Sequence, residues 1–140
     1  MGNITKVIVA LFLIFETVED IRKKSVSLLW IVIAGILACG FTIATQNVEV
    51  KEILMGLAIG IAVMLLGYFT NCIGVGDGAV LTVIGVLIGG KLSLGVFLIG
   101  MTLAAFISLI LLLFKRVALK QEIPFVPYML VAYLGVILCV

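Results

Sequence analysis

Long apolar runs parted by short polar breaks constrain this chain more than any other feature. They extend from Leu28 to Ala44, from Ile53 to Phe69 and from Leu92 to Phe114. Runs of this length match a bilayer-crossing helix, which needs about 20 apolar residues for a hydrocarbon core of about 30 Å. The chain has 140 residues, 65% hydrophobic and 11% charged. An ordinary soluble domain is roughly half apolar and a quarter charged. Nine Lys plus Arg and seven Asp plus Glu cannot cover a water-soluble globule of this size without large greasy patches. The solvent this chain is built for is the lipid bilayer. At about 20 residues per span almost nothing remains for an extramembrane domain, so residues 1–140 are expected to form one transmembrane domain.

The pattern predicts an all-α polytopic membrane protein, a bundle of about six transmembrane helices. The first begins at the apolar run Val7 to Phe15 and reaches the polar stretch Glu19-Asp20-Ile21-Arg22-Lys23-Lys24. No small-residue cleavage site follows the run, so a retained helix is expected rather than a removable signal peptide. Lys6 stands where a myristoylation signal requires Ser or Thr. After the second and third spans, Thr70-Asn71-Cys72-Ile73-Gly74-Val75-Gly76-Asp77-Gly78 interrupts the apolar pattern with glycines that disfavour helix. A fourth span is expected over Ala79 to Ile88, closed by Gly89-Gly90-Lys91, and a sixth over Pro127 to Val140, entered through Pro124 and Pro127. Gly56 and Gly60, and Gly85 and Gly89, have the GxxxG spacing that lets helices approach closely in lipid.

Short cytoplasmic loops carry the excess of Lys and Arg. Arg22, Lys23 and Lys24 follow the first helix, and Lys115, Arg116 and Lys120 follow the fifth, against Lys6, Lys51 and Lys91 on the other side. This bias puts both termini outside and brings Asp20, Asp77 and the Pro124 segment to the cytoplasmic face.

Composition excludes much chemistry. The chain has no histidine, which removes Ser-His-Asp and Cys-His devices, the common zinc sites and a His relay. No metal or cofactor is expected. Cys39, Cys72 and Cys139 lack the spacing of a redox or metal pair and read as small apolar filler. A net charge of +2 without a basic, aromatic-rich run gives no case for nucleic acid. The glycines around Asp77 lack the GxGxxG or GK[ST] pattern of a nucleotide loop.

Carboxylates remain. Glu49 and Glu52 flank Lys51 in a polar loop, and Glu122 precedes a proline-initiated helix whose N-terminus favours negative charge. Glu16, Glu19 and Asp20 fall in the last turns of the first helix, whose negative end opposes them. An acidic rim offset by Arg22, Lys23 and Lys24 is one reading of these three; a functional group is the other. Asp77 is expected below the membrane interface, since a helix from Gly78 to Leu92 rises only about 22 Å. An acid at that depth is a functional candidate by default. Two carboxylates held together share a proton, an arrangement that hydrolyses peptides without metal or covalent intermediate.

In these residues the chain resembles the type IV prepilin peptidase family, a branch of the GxGD membrane aspartyl proteases. The resemblance rests on Asp20-Ile21-Arg22 after helix one, Gly74-Val75-Gly76-Asp77 before helix four and Ile123-Pro124-Phe125-Val126-Pro127-Tyr128 opening helix six. It implies Asp20 and Asp77 as the catalytic pair, with Gly74, Gly76, Gly78, Pro124 and Pro127 shaping the site. It also implies an inner-membrane enzyme with its site facing the cytoplasm and a prepilin or pilin-like membrane protein as substrate. Family members often carry Ile-Pro-Asn where this chain has Val26-Ser27-Leu28, and a lysine soon after GxGD where it has Gly78-Ala79-Val80. The cysteine-bearing insertion that accompanies amino-methylation in larger members is missing, so the resemblance is to the small Tad/Flp-type members, which cleave without methylating. A small proton- or ion-coupled transporter and a catalytically silent subunit of a pilus or secretion assembly are the competing readings.

Overall fold

The structure is a computed structural model that describes residues 2–23, 27–71, 73–114 and 124–139. Lys24, Val26, Cys72, Lys115, Arg116, Lys120, Glu122 and Ile123, which entered the reading of the sequence, lie outside the described residues. Six helices run through the described residues: α1 (Asn3–Lys23), α2 (Leu28–Thr45), α3 (Val50–Thr70), α4 (Val75–Ile88), α5 (Gly90–Leu113) and α6 (Val126–Cys139). This is the expected all-α membrane bundle. Of the six, α2, α3 and α5 are long and apolar enough to cross a membrane on length and composition alone.

Helix α1 shows most directly which solvent the bundle is built for. Its buried residues are Thr5, Val9, Leu13, Glu16 and Asp20, a single stripe at helical spacing. Its exposed face carries Ile4, Val7, Leu11, Ile14, Phe15, Val18 and Ile21. Greasy side chains face out and carboxyl groups face in, the reverse of a water-soluble amphipathic helix and the arrangement expected of ionisable groups in a membrane protein.

Helix α4 is the hub, packed against α3, α2, α5 and α1. Every residue from Gly78 to Ile88 except Thr82 is buried. Its tightest partner is α3, and glycine makes that contact. A Cβ on Gly85 would lie 2.8 Å from the Gly56 backbone, and one on Gly78 would lie 2.6 Å from the Met64 backbone nitrogen. The small-residue spacing in the sequence is thus helix packing. On the other flank, the Thr42 hydroxyl of α2 bonds its own Ala38 carbonyl at 2.8 Å and reaches the Val86 carbonyl of α4 at 3.3 Å. Around this hub α3 touches α5, α5 touches α6 and α6 touches α1.

Three expectations change. The fourth helix begins at Val75 rather than Ala79, so the glycine-rich stretch expected to interrupt helix supplies its first turn. Tertiary contact overrides propensity here, because Gly78 is needed bare against Met64. Glu52 lies in the first turn of α3 rather than in a loop; its carboxylate meets the Lys91 ammonium at 3.3 Å and accepts the Lys91 backbone N–H at 3.3 Å, tying α3 to the start of α5. Cys139 is exposed at the end of α6 rather than filling the interior. Cys39 is half-buried in an apolar groove of about 350 Å³ between α2, α3 and α4, with Gly35, Leu57 and Thr82 also in its lining. Among the described residues no carboxylate lines that groove.

Candidate active site

The site is built at the end of the bundle where α1 stops and α4 and α6 begin. Asp20 occupies the last turn of α1 and is 5% exposed. Arg22 and Lys23 beside it are exposed, and Lys23 pairs with Glu19 at 3.6 Å instead. What Asp20 meets is the start of α6: its Oδ2 accepts the backbone N–H of Val126 at 3.2 Å, and the Phe125 amide lies close by. The Phe125 carbonyl accepts the first helical bonds, from Tyr128 at 3.0 Å and Met129 at 3.2 Å, so Val126 is the first residue of the helix proper. First-turn N–H groups have no partner within their own helix and sit at its positive end. The unfavourable end of α1 is therefore offset by the favourable end of α6. Pro127, lacking an N–H, fits this first turn without losing a bond. The turn is held from outside by Phe125, whose ring meets Phe97 of α5 edge-on at 6.0 Å between centroids.

Asp77 sits three residues after the N-terminal cap of α4, which is Gly74. From there its carboxylate turns back toward the Gly74 backbone, in the manner of the returning half of a capping box. That fold-back explains Gly74. Its backbone is an ordinary extended one (φ −65, ψ 135), so glycine is not required for conformation. What it gives is space for the carboxylate in this position: a Cβ there would approach the Asp77 Oδ2 to 2.9 Å, and the carboxylate would have to move. Gly78 faces α3 and Gly76 lies half-buried in the same first turn.

Asp77 is half-buried, and the charge of Asp20 reaches it across the contact between α1 and α4. The structure thus brings Asp20, Asp77, Gly74, Pro124 and Pro127 to one end of the bundle. A second hydrogen bond, from the Tyr133 hydroxyl to the Lys6 carbonyl at 3.1 Å, fixes the other end of α1 against α6. Among the described residues no group of three or more His, Cys, Asp or Glu has the geometry to hold a metal ion.

Reasoning from the sequence missed the Val126 amide as the partner of Asp20. The signal was present: Pro127 marks a helix start, and a helix start offers free N–H groups. It also left Glu16 between two readings. The structure buries that side chain to 1% exposure and gives its Oε2 no hydrogen-bond partner among the described residues. The acidic rim paired with cations describes Glu19 and not Glu16 or Asp20.

Fold and site together define a multi-pass membrane protein with a carboxylate pair held at helix termini. Residues 7–109 match the model of the type IV leader peptidase family, and the chain belongs to that family. Membership of that family implies a leader peptidase. Neither the curated proteins nor the solved structures searched contain a match.

Proposed function

We propose that this chain is an aspartic endopeptidase, one domain over residues 1–140, that removes the basic leader from Tad/Flp-type prepilins at the cytoplasmic face of the inner membrane. The observation that carries this reading is that the end of α1 bearing Asp20 and the start of α4 bearing Asp77, 57 positions apart in sequence, come to the same end of the bundle, near enough for the charge of Asp20 to act on Asp77. Asp20 is buried and Asp77 half-buried, and neither has a charged partner of opposite sign among the described residues. Asp20, Asp77 and water supply the chemistry; no methyl transfer is expected of this chain.

In the reaction, the ionised member of the pair takes a proton from a water molecule whose oxygen attacks the scissile carbonyl carbon. The protonated member gives its proton to the carbonyl oxygen. The resulting gem-diol then collapses: one of its hydroxyls returns a proton to the ionised carboxylate, the C–N bond breaks, and the protonated carboxyl gives its proton to the departing amine nitrogen, leaving the pair with one proton again. Gly74 leaves room for the Asp77 carboxylate, and the α6 start supported by Pro124 and Pro127 holds Asp20. The Arg22 and Lys23 end of α1 marks the cytoplasmic side by the excess of positive charge. The basic leader would lie in the cytoplasm and the prepilin's apolar segment in lipid, which places the scissile bond at the carboxylates.

The test is co-expression with prepilins encoded in the same genome, following leader removal by mass. A product shortened to the residue after a leader glycine, without an added methyl group, supports the reading. Intact prepilins beside folded, membrane-inserted protein contradict it and favour ion transport, which proton or cation flux in liposomes would then detect.

A further inference from the structure

Glu16 is employed by nothing described above. It lies one helical turn from Asp20 on the buried stripe of α1, on the side away from the helix end. At 1% exposure it is among the most enclosed side chains in the molecule, and its Oε2 has no hydrogen-bond partner among the described residues. Thr17 Oγ1 and Glu19 Oε2, in the same turn, are buried without partners as well. A carboxyl group retained for packing alone would be replaced at no loss by an apolar side chain, whereas buried polar groups are ordinarily satisfied. The charged groups that act on Glu16 are Glu19 and Asp20. Of the elements packed against α1, α4 brings Asp77 and α6 brings the phenols Tyr128 and Tyr133, the second already bonded to the Lys6 carbonyl. Lys23 pairs with Glu19, and Arg22 is exposed.

We infer that Glu16 is a positioning residue of the carboxylate site, acting through Asp20 and setting the pH range in which the Asp20 and Asp77 pair works. The inference rests on the peptidase reading. Residues four apart on a helix are side-chain neighbours, and in a water-poor interior a charge at that separation acts far more strongly than in water. Protons bound by such neighbours titrate as a set, so any change at Glu16 is felt in the behaviour of the pair. Glu16 itself touches no reacting atom; Asp20 and Asp77 do.

The experiment measures the pH dependence of prepilin cleavage by reconstituted full-length wild type, Glu16→Gln and Glu16→Leu. Gln keeps the shape and removes the charge; Leu removes both. Both profiles are expected to be displaced from wild type by the same amount, at least about half a pH unit. A Glu16→Gln profile superimposed on that of wild type overturns the proposal. A second reading needs no turnover: infrared titration in nanodiscs of the carboxyl band that Glu16→Gln removes. Its midpoint is expected to move in Asp20→Asn, and an unmoved midpoint also overturns the proposal. Wild-type protein that cleaves no prepilin at any pH contradicts the peptidase reading instead, so the two failures are told apart.

Discussion

Asp20 Oδ2 accepts the backbone N–H of Val126 at 3.2 Å, across 106 residues of sequence. An aspartate at the wrong end of its own helix is thereby placed at the right end of another. The bond locks the α6 start to the last turn of α1 and fixes the direction in which the carboxylate points.

The single N–H can be deleted without touching a side chain of the pair. Proline is well tolerated as the first residue of a helix, so Val126→Pro removes the donor and keeps the helix. Val126→Ala keeps the donor and removes packing from a fully buried side chain. Hydrogen bonds to charged groups are worth about 1.5–3 kcal/mol, so Val126→Pro is expected to lower kcat about 10- to 100-fold. Val126→Ala should lower stability more than kcat. Leader release by the two variants, each normalised to folded protein, checks the contrast; equal kcat values would remove the bond from the account.

Gly74→Ala probes the other carboxylate. The backbone at Gly74 accepts alanine without strain, but the new Cβ would approach Asp77 Oδ2 to 2.9 Å. Cleavage is expected to fall at least about tenfold, the scale of a misplaced catalytic group, with membrane-inserted protein unchanged. Gly40→Ala and Gly135→Ala, where an added Cβ meets nothing within 4 Å, serve as controls expected to retain wild-type activity.

Packing of α3 on α4 predicts a stability effect instead. Gly56→Val forces a branched side chain onto the Gly85 backbone. Overpacking of this kind costs about 1–3 kcal/mol, and it should lower the unfolding midpoint in detergent together with the yield of inserted protein. Thermal unfolding next to Gly40→Ala measures it.

An acid remote from the site provides the opposite expectation. Glu52 holds α5 to α3 beside Lys91 and Gly89, at the far end of the bundle. Glu52→Gln should leave cleavage within about twofold of wild type, as surface substitutions away from a site ordinarily do. A large loss of cleavage would mean that this end of the bundle takes part in the reaction.

Much of the fold was legible because its determinants are local. The bounds of α2 and α5 lie within two residues of the apolar runs that predicted them, and those of α3 within three. The start of α4 was not legible, because Val75, Gly76, Asp77 and Gly78 become helical through contacts with α3 and through the carboxylate that turns back to Gly74. Asp20 and Asp77 were legible as types of residue in positions where acids are costly. Their partners were not, since the Val126 amide lies more than a hundred residues from Asp20 and a backbone donor leaves no mark in composition. The same holds for Glu52 and Lys91, 39 positions apart.

The most direct measurement is leader release from a purified prepilin by reconstituted wild type, Asp20→Asn, Asp77→Asn and Glu19→Gln. General acid and base groups contribute about 10²- to 10⁴-fold. Both Asn variants are expected to lose activity on that scale while remaining folded, and Glu19→Gln, whose partner is the exposed Lys23, to keep most of it. Wild-type cleavage by either Asn variant would contradict the two-aspartate account.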